Sequence, residues 1–164
     1  KQLEDITRST EVETFNFVTT LLTCAVTQGR SARAYALIRM ADDLESIADS
    51  LQSFSIYRAR LYKQTESLSP AAWADLEAFF AEVDSFVGRV CGARKKRADS
   101  TRITSLLDES KRLNRLADSM RDEHMERLKA GTCQSIAAQS YSDMVVSLRH
   151  IKNHALNILA TYTN

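Results

Sequence analysis

Residues 37–54, LIRMADDLESIADSLQSF, set Leu37, Met40, Leu44, Ile47, Leu51 and Phe54 three and four residues apart without a break. That alternation holds the apolar side chains on one stripe of an α-helix, the seam by which helices pack in a bundle. A half-buried strand needs a period of two, which this stretch does not have. The spacing predicts a helix from about Ala32 to Gln64.

Outward from this helix, the chain of 164 residues holds one proline and four glycines, too few turn-formers for a many-stranded sheet. Val12, Phe15, Val18, Leu22 and Val26 predict a first helix over about Leu3 to Thr27, stopped by Gln28-Gly29-Arg30-Ser31. Ser69 and Pro70 form an N-cap and first-turn pair for a third helix, with a stripe of Trp73, Leu76, Phe80, Val83, Val87 and Val90, ending near Gly92. Ser100 or Thr101 opens a fourth, which Gly131 closes; a fifth runs from about Gln134 through Tyr141, Met144, Leu148, Ile151, Ala155, Ile158 and Tyr162. The expected fold is all-α: an antiparallel bundle of about five long helices, with residues 1–164 as one domain.

Composition narrows the class. The chain is 44% hydrophobic and 26% charged with a net charge of +1, the balance of a folded water-exposed domain and not the basic excess of a nucleic-acid binder. The basic run Arg94, Lys95, Lys96 and Arg97 reads as a solvated turn or as a contact for an anionic membrane surface. Cys24, Cys91 and Cys133 lie far apart without C-x-x-C spacing, pointing to a reduced compartment and no structural zinc. The apolar stretch Phe15 to Val26 is too short for a membrane span and carries Asn16, Thr19, Thr20 and Thr23. A chain that begins at Lys1 fits a piece of something longer.

The chemistry lies beside the seam. At 100° per residue, Asp42, Glu45 and Asp49 share one helical face while Asp43 points well away from it. Such a stripe is either solvated and answered by arginines such as Arg39, or it holds a hard divalent or iron-type metal ion through oxygen ligands. Superposing the second and fifth helices at an offset of 104 pairs Leu44 with Leu148 and Ile47 with Ile151, and puts Arg149 where Glu45 stands and Asn153 where Asp49 stands. An arginine opposes a cation. Arg149 then stands as a partner for Glu45 or Asp49 across the bundle, a salt bridge in place of an ion.

His150 and His154, four apart, suit two imidazoles on one metal, yet no E-x-x-H occurs, so the di-iron bundle pattern is absent. His124 falls on the core stripe of the fourth helix and reads as a hydrogen-bonded structural histidine. No nucleophile has a base nearby in sequence and no Gly-rich phosphate loop exists, so no catalytic residues are assigned and the chain is read as a non-enzyme.

Asp43-Leu44-Glu45-Ser46-Ile47-Ala48-Asp49 resembles the D-L-E-R-I-G-D motif of PhoU proteins, with Ser46-Ile47-Ala48 in place of R-I-G. The tail narrows the resemblance. His124-Met125-Glu126-Arg127-Leu128-Lys129-Ala130-Gly131, then Ser135, Ser140 and Leu148-Arg149-His150-Ile151-Lys152-Asn153-His154, is similar to H-L-E-R-L-R-x-G, a serine-rich helix start and L-K-R-I-N-S-H. That pattern marks the PhoU-like cytosolic domain at the C-terminus of bacterial sodium/phosphate cotransporter family proteins, whose second motif is already basic.

The resemblance covers about Val12 to Thr163, although Asp75 to Glu82 is only generically similar. It implies a regulatory or accessory domain on the cytosolic face of the bacterial inner membrane, its parent coupling sodium entry to phosphate movement. The implied partners are the transmembrane segments of the same chain, a second copy of the domain, and anionic lipid at Arg94–Arg97. The metal, if any, falls to Asp42, Glu45 and Asp49, and the interaction face to Arg149, Asn153 and His154. A free-standing PhoU-like regulator of phosphate signalling is the alternative, and a carboxylate metal enzyme the third reading.

Overall fold

The computed structural model describes residues 2–23, 27–63, 68–95, 99–131 and 135–163. Five α-helices lie within them: α1 (Gln2–Leu22), α2 (Gln28–Lys63), α3 (Pro70–Lys95), α4 (Ser100–Lys129) and α5 (Ser135–Thr163). Among the described residues there is no strand, and the all-α expectation holds.

Helix ends follow local chemistry. Ser69 Oγ accepts the Ala72 N–H at 3.2 Å, and Pro70, with no N–H to leave unsatisfied, takes the first helical position. α4 opens at Ser100, one of the two expected positions, and Asp99 caps it: its Oδ1 accepts the Arg102 N–H at 2.8 Å. Gly131 follows the C-cap of α4 at φ +68°, a left-handed conformation that a Cβ disfavours.

Three boundaries differ from the sequence reading. Gln28-Gly29-Arg30-Ser31 is the first turn of α2, because the Thr27 carbonyl accepts the N–H groups of Arg30 at 2.9 Å and Ser31 at 3.0 Å. α1 stops earlier, at Leu22, and α3 runs past Gly92 to Lys95.

Consecutive helices run antiparallel, and α5 is the hub that packs on α2, α3 and α4. Its stripe of Tyr141, Met144, Leu148, Ile151, Ala155 and Leu159 is buried against Leu76, Phe79, Val83, Phe86 and Val90 of α3 and Leu106, Leu113, Ala117 and Met120 of α4. Phe79 and Phe86, rather than Phe80 and Val87, carry the aromatic and deepest part of the α3 face. Burying those side chains is worth about 1.5–3 kcal/mol each relative to exposure. Arg89 with Glu109, and Arg112 with Glu82, pair α3 with α4 at the surface.

The expected seam of α2 holds in part: Met40 and Phe54 are buried and Ile47 and Leu51 pack against the core, but Leu37 and Leu44 do not. Leu37 and Leu44 are 44% and 51% exposed, whereas Leu148, the residue paired with Leu44 by the offset of 104, is 1% exposed. The cause is that α2 is gripped on two sides. Phe54 and Leu61 enter the main core, while Ala34, Ala41 and Ala48 sit on the separate face that meets α1. Seven-residue spacing of alanines lets α1 approach closely. Among the described residues α1 packs on α2 alone, buries Val18, and leaves Val12, Phe15, Phe17 and Leu21 exposed.

Candidate functional site

The apolar stripe of α5 leaves polar residues on its flanks, and four of these, Arg149, Lys152, His154 and Asn157, reach neighbouring helices. Lys152 is 1% exposed, and its Nζ donates to Ser110 Oγ at 3.0 Å and Asn114 Oδ1 at 2.9 Å on α4. No carboxylate among the described residues pairs with it. Burial, and then the Arg149 charge, hold its pKa below the ordinary lysine value. One turn nearer the N-terminus of α5, Arg149 donates to Asp118 of α4 at 2.7 Å. Toward the C-terminus, Asp43 of α2 lies against α5 at 6% exposure, its Oδ1 facing His154 Nδ1 at 2.9 Å and accepting from Asn157 Nδ2 at 3.1 Å.

These contacts revise the acidic stripe. Asp42 is exposed, and Asp49 is half-buried. Glu45 lies on the face toward α1, 3.7 Å from Arg8, its pKa raised by burial, by Asp49 and by Glu11. Among the described residues no three His, Cys, Asp or Glu stand together as a metal site. The cross-bundle pair of Arg149 with Glu45 or Asp49 is not formed: Arg149 faces α4, and Asp118 takes it. Nor do the histidines at 150 and 154 act as a pair, since His150 is exposed and His154 is engaged with Asp43. Asn153 is exposed. Of the basic run, Lys96 and Arg97 lie outside the described residues, as do Cys24 and Cys133.

Asp43 is what sequence reasoning missed. Its signal was available: it lies off the acidic face, on the side where a second packed helix would bury it.

A second polar cluster lies at the opposite end of the α4–α5 contact. His124 is 1% exposed and stacks on Tyr141 with ring centroids 4.4 Å apart. Neither ring nitrogen makes a hydrogen bond of normal geometry, so the expected hydrogen-bonded histidine is held by packing instead. Burial and the nearby Arg127 keep its pKa below 6.5, with only the Ala138 backbone acting the other way. Arg127 lies with its Cζ 5.8 Å from the Tyr141 ring centre and 3.8 Å from Asp75 at its nearest nitrogen, tying α4 to α5 and α3.

A groove of about 610 Å³ lies between α1, α2 and the ends of α3 and α5, lined by Leu37, Met40 and Leu44 together with Glu11 and Cys91. Its walls are apolar, and no base stands by the exposed Cys91 in a described hydrogen bond. Asp43, Arg149, Lys152 and His154 therefore join helices to one another. Compared with known protein families, curated proteins and solved structures, the chain matches none.

Proposed function

We propose that the chain is a regulatory or accessory helical domain of a sodium-dependent phosphate transporter, working on the cytosolic side of a bacterial membrane, with the transport path in segments outside this sequence. The observation that carries the reading is where the tail motif falls in the bundle. His124 and Arg127 pack on Tyr141 at one end of the α4–α5 contact, Gly131 takes the left-handed turn, and Arg149, Lys152 and His154 each bind a neighbouring helix. Motif residues with such joint-making roles suit a domain whose output is a change in helix packing or docking, not turnover of a substrate. No described helix is long and apolar enough to cross a membrane, so any transport step would belong to other segments.

The parent reading frame tests this. A transporter requires several apolar spans of about 20 residues in the same polypeptide, and a parent without them sinks the proposal. A native partner recovered with a parent that lacks those spans would move the reading to a free-standing PhoU-like regulator. For the acidic stripe, Glu45→Gln should raise stability by about 0.5 kcal/mol in metal-free buffer, because it removes repulsion from Asp49 and Glu11. A loss of divalent-cation binding in the same variant would instead favour a metal at Glu45.

A further inference from the structure

Charge is unevenly spread along the bundle axis. The C-terminal parts of α1, α3 and α5 and the N-terminal parts of α2 and α4 come together at one end, because consecutive helices are antiparallel. The described residues 15–23, 27–38, 88–95, 99–105 and 155–163 lie at that end. They contain Arg30, Arg33, Arg89, Arg94, Lys95 and Arg102 against one acid, Asp99. Asp99 is committed to capping α4, and Arg89 is paired with Glu109. The chain as a whole carries 22 cations and 21 acids, so a cationic end of this size leaves the remainder net acidic. α3 ends at Lys95 and α4 begins at Ser100 at this end.

The same end exposes apolar side chains that the fold does not use. Phe17 is 68% exposed, Tyr35 60% and Leu21 42%, flanking the exposed Arg30 and Arg33 at the tip of the α1–α2 hairpin. Residues 14–22 of α1 carry no charge at all. Basic side chains beside bare aromatic and aliphatic ones form the pattern of a surface that lies on a membrane, with cations at the headgroups and apolar groups at the acyl boundary. Nucleic acid would use the cations and leave Phe17 and Leu21 in water.

We propose that this end of the bundle docks on an anionic phospholipid surface, with Arg30 and Arg33 among the phosphates and Phe17, Leu21 and Tyr35 at the acyl edge. The contact needs nothing from the transporter reading: a chain whose parent has no membrane spans would still bind lipid. A chain that ignores lipid would leave the transporter reading to its own test.

The test is co-sedimentation of the full chain with vesicles of phosphatidylcholine alone and of phosphatidylcholine mixed with phosphatidylglycerol. Binding is expected only to the mixed vesicles, and it should fall as salt rises toward 1 M, where the screening length shrinks to about 3 Å. Each basic residue near such a surface contributes about fivefold, so Arg30→Gln with Arg33→Gln should weaken binding about 25-fold. Phe17→Ser should weaken it at every salt concentration, with an unchanged helical circular dichroism spectrum. Arg58→Gln with Arg60→Gln, at the other end of α2, should leave it unchanged. Three results would overturn the proposal: equal or no binding to the two vesicle types, an equal loss in the Arg58 and Arg60 variant, or tighter binding to duplex DNA or RNA than to mixed vesicles at the same salt.

Discussion

Asp42 and Asp43 are the same side chain one residue apart, and a rotation of 100° puts the first in water and the second against α5. Asp43 serves both His154 and Asn157, so Asp43→Ala strands two partners and should cost about 2 kcal/mol. Asp42→Ala should change stability by less than about 0.5 kcal/mol. Urea unfolding of the two variants side by side checks this, and equal effects would mean that the α2–α5 contact does not depend on Asp43. His124 gives the second prediction at this scale. Burial and Arg127 keep its ring neutral in the fold, while the unfolded chain titrates near the ordinary 6.5. Above that pH the two states bind the same number of protons. Below it the unfolded chain takes up a proton that the fold refuses, so stability falls as pH drops through 6.5. His124→Phe keeps the ring stack on Tyr141 and removes the titration. The variant should lose less thermal stability than the parent between about pH 7 and pH 5, and a parallel loss in both would remove His124 as the cause.

Between elements, the α4–α5 contact contains a cation that the fold tolerates at a cost. Lys152 keeps its proton up to about 10.5 when unfolded, but burial and Arg149 disfavour the charged form in the bundle. The penalty is therefore present at neutral pH and fades as pH climbs toward 10.5. Replacing the lysine and its buried hydroxyl partner together, as Lys152→Met with Ser110→Ala, should raise stability by about 1 kcal/mol near pH 7, and by less near pH 10. A destabilised double variant would show that the Ser110 and Asn114 hydrogen bonds outweigh the burial of charge. This contact also marks how far the elements were legible. The ends at Ser69-Pro70 and Gly131 could be read because capping is local chemistry, decided within a few residues. The Leu37–Leu44 seam misled because periodicity assigns a helix one buried face, and α2 has two. Arg149 was placed opposite Glu45 by assuming α2 and α5 to be equivalent copies; their different neighbours, α1 for one and α4 for the other, decide the pairing.

At the scale of the whole molecule, the five helices do not share stability equally. α3, α4 and α5 bury contiguous apolar faces, whereas α1 rests on α2 alone, and Val18 is its one fully buried apolar side chain among the described residues. A helix held by one neighbour can open without unfolding the rest, because its release breaks only the α1–α2 contact. Native-state hydrogen exchange should therefore find the amides in the middle of α1, around Val18, exchanging about 100-fold or more faster than those of α5 around Leu148. That ratio corresponds to an opening that is about 2.7 kcal/mol easier. Val18→Ala removes packing from the α1–α2 contact only, so it should speed exchange in α1 by a further factor of about 10 and leave the Leu148 region unchanged. Equal protection of the two regions would mean that α1 folds and unfolds with the bundle. Mixed anionic vesicles add a directional check: if the α1–α2 tip docks on lipid through Phe17 and Leu21, α1 should gain protection on binding while α5 does not. Slowing confined to α1 would join the most easily opened helix to the end where the basic residues outnumber the acids.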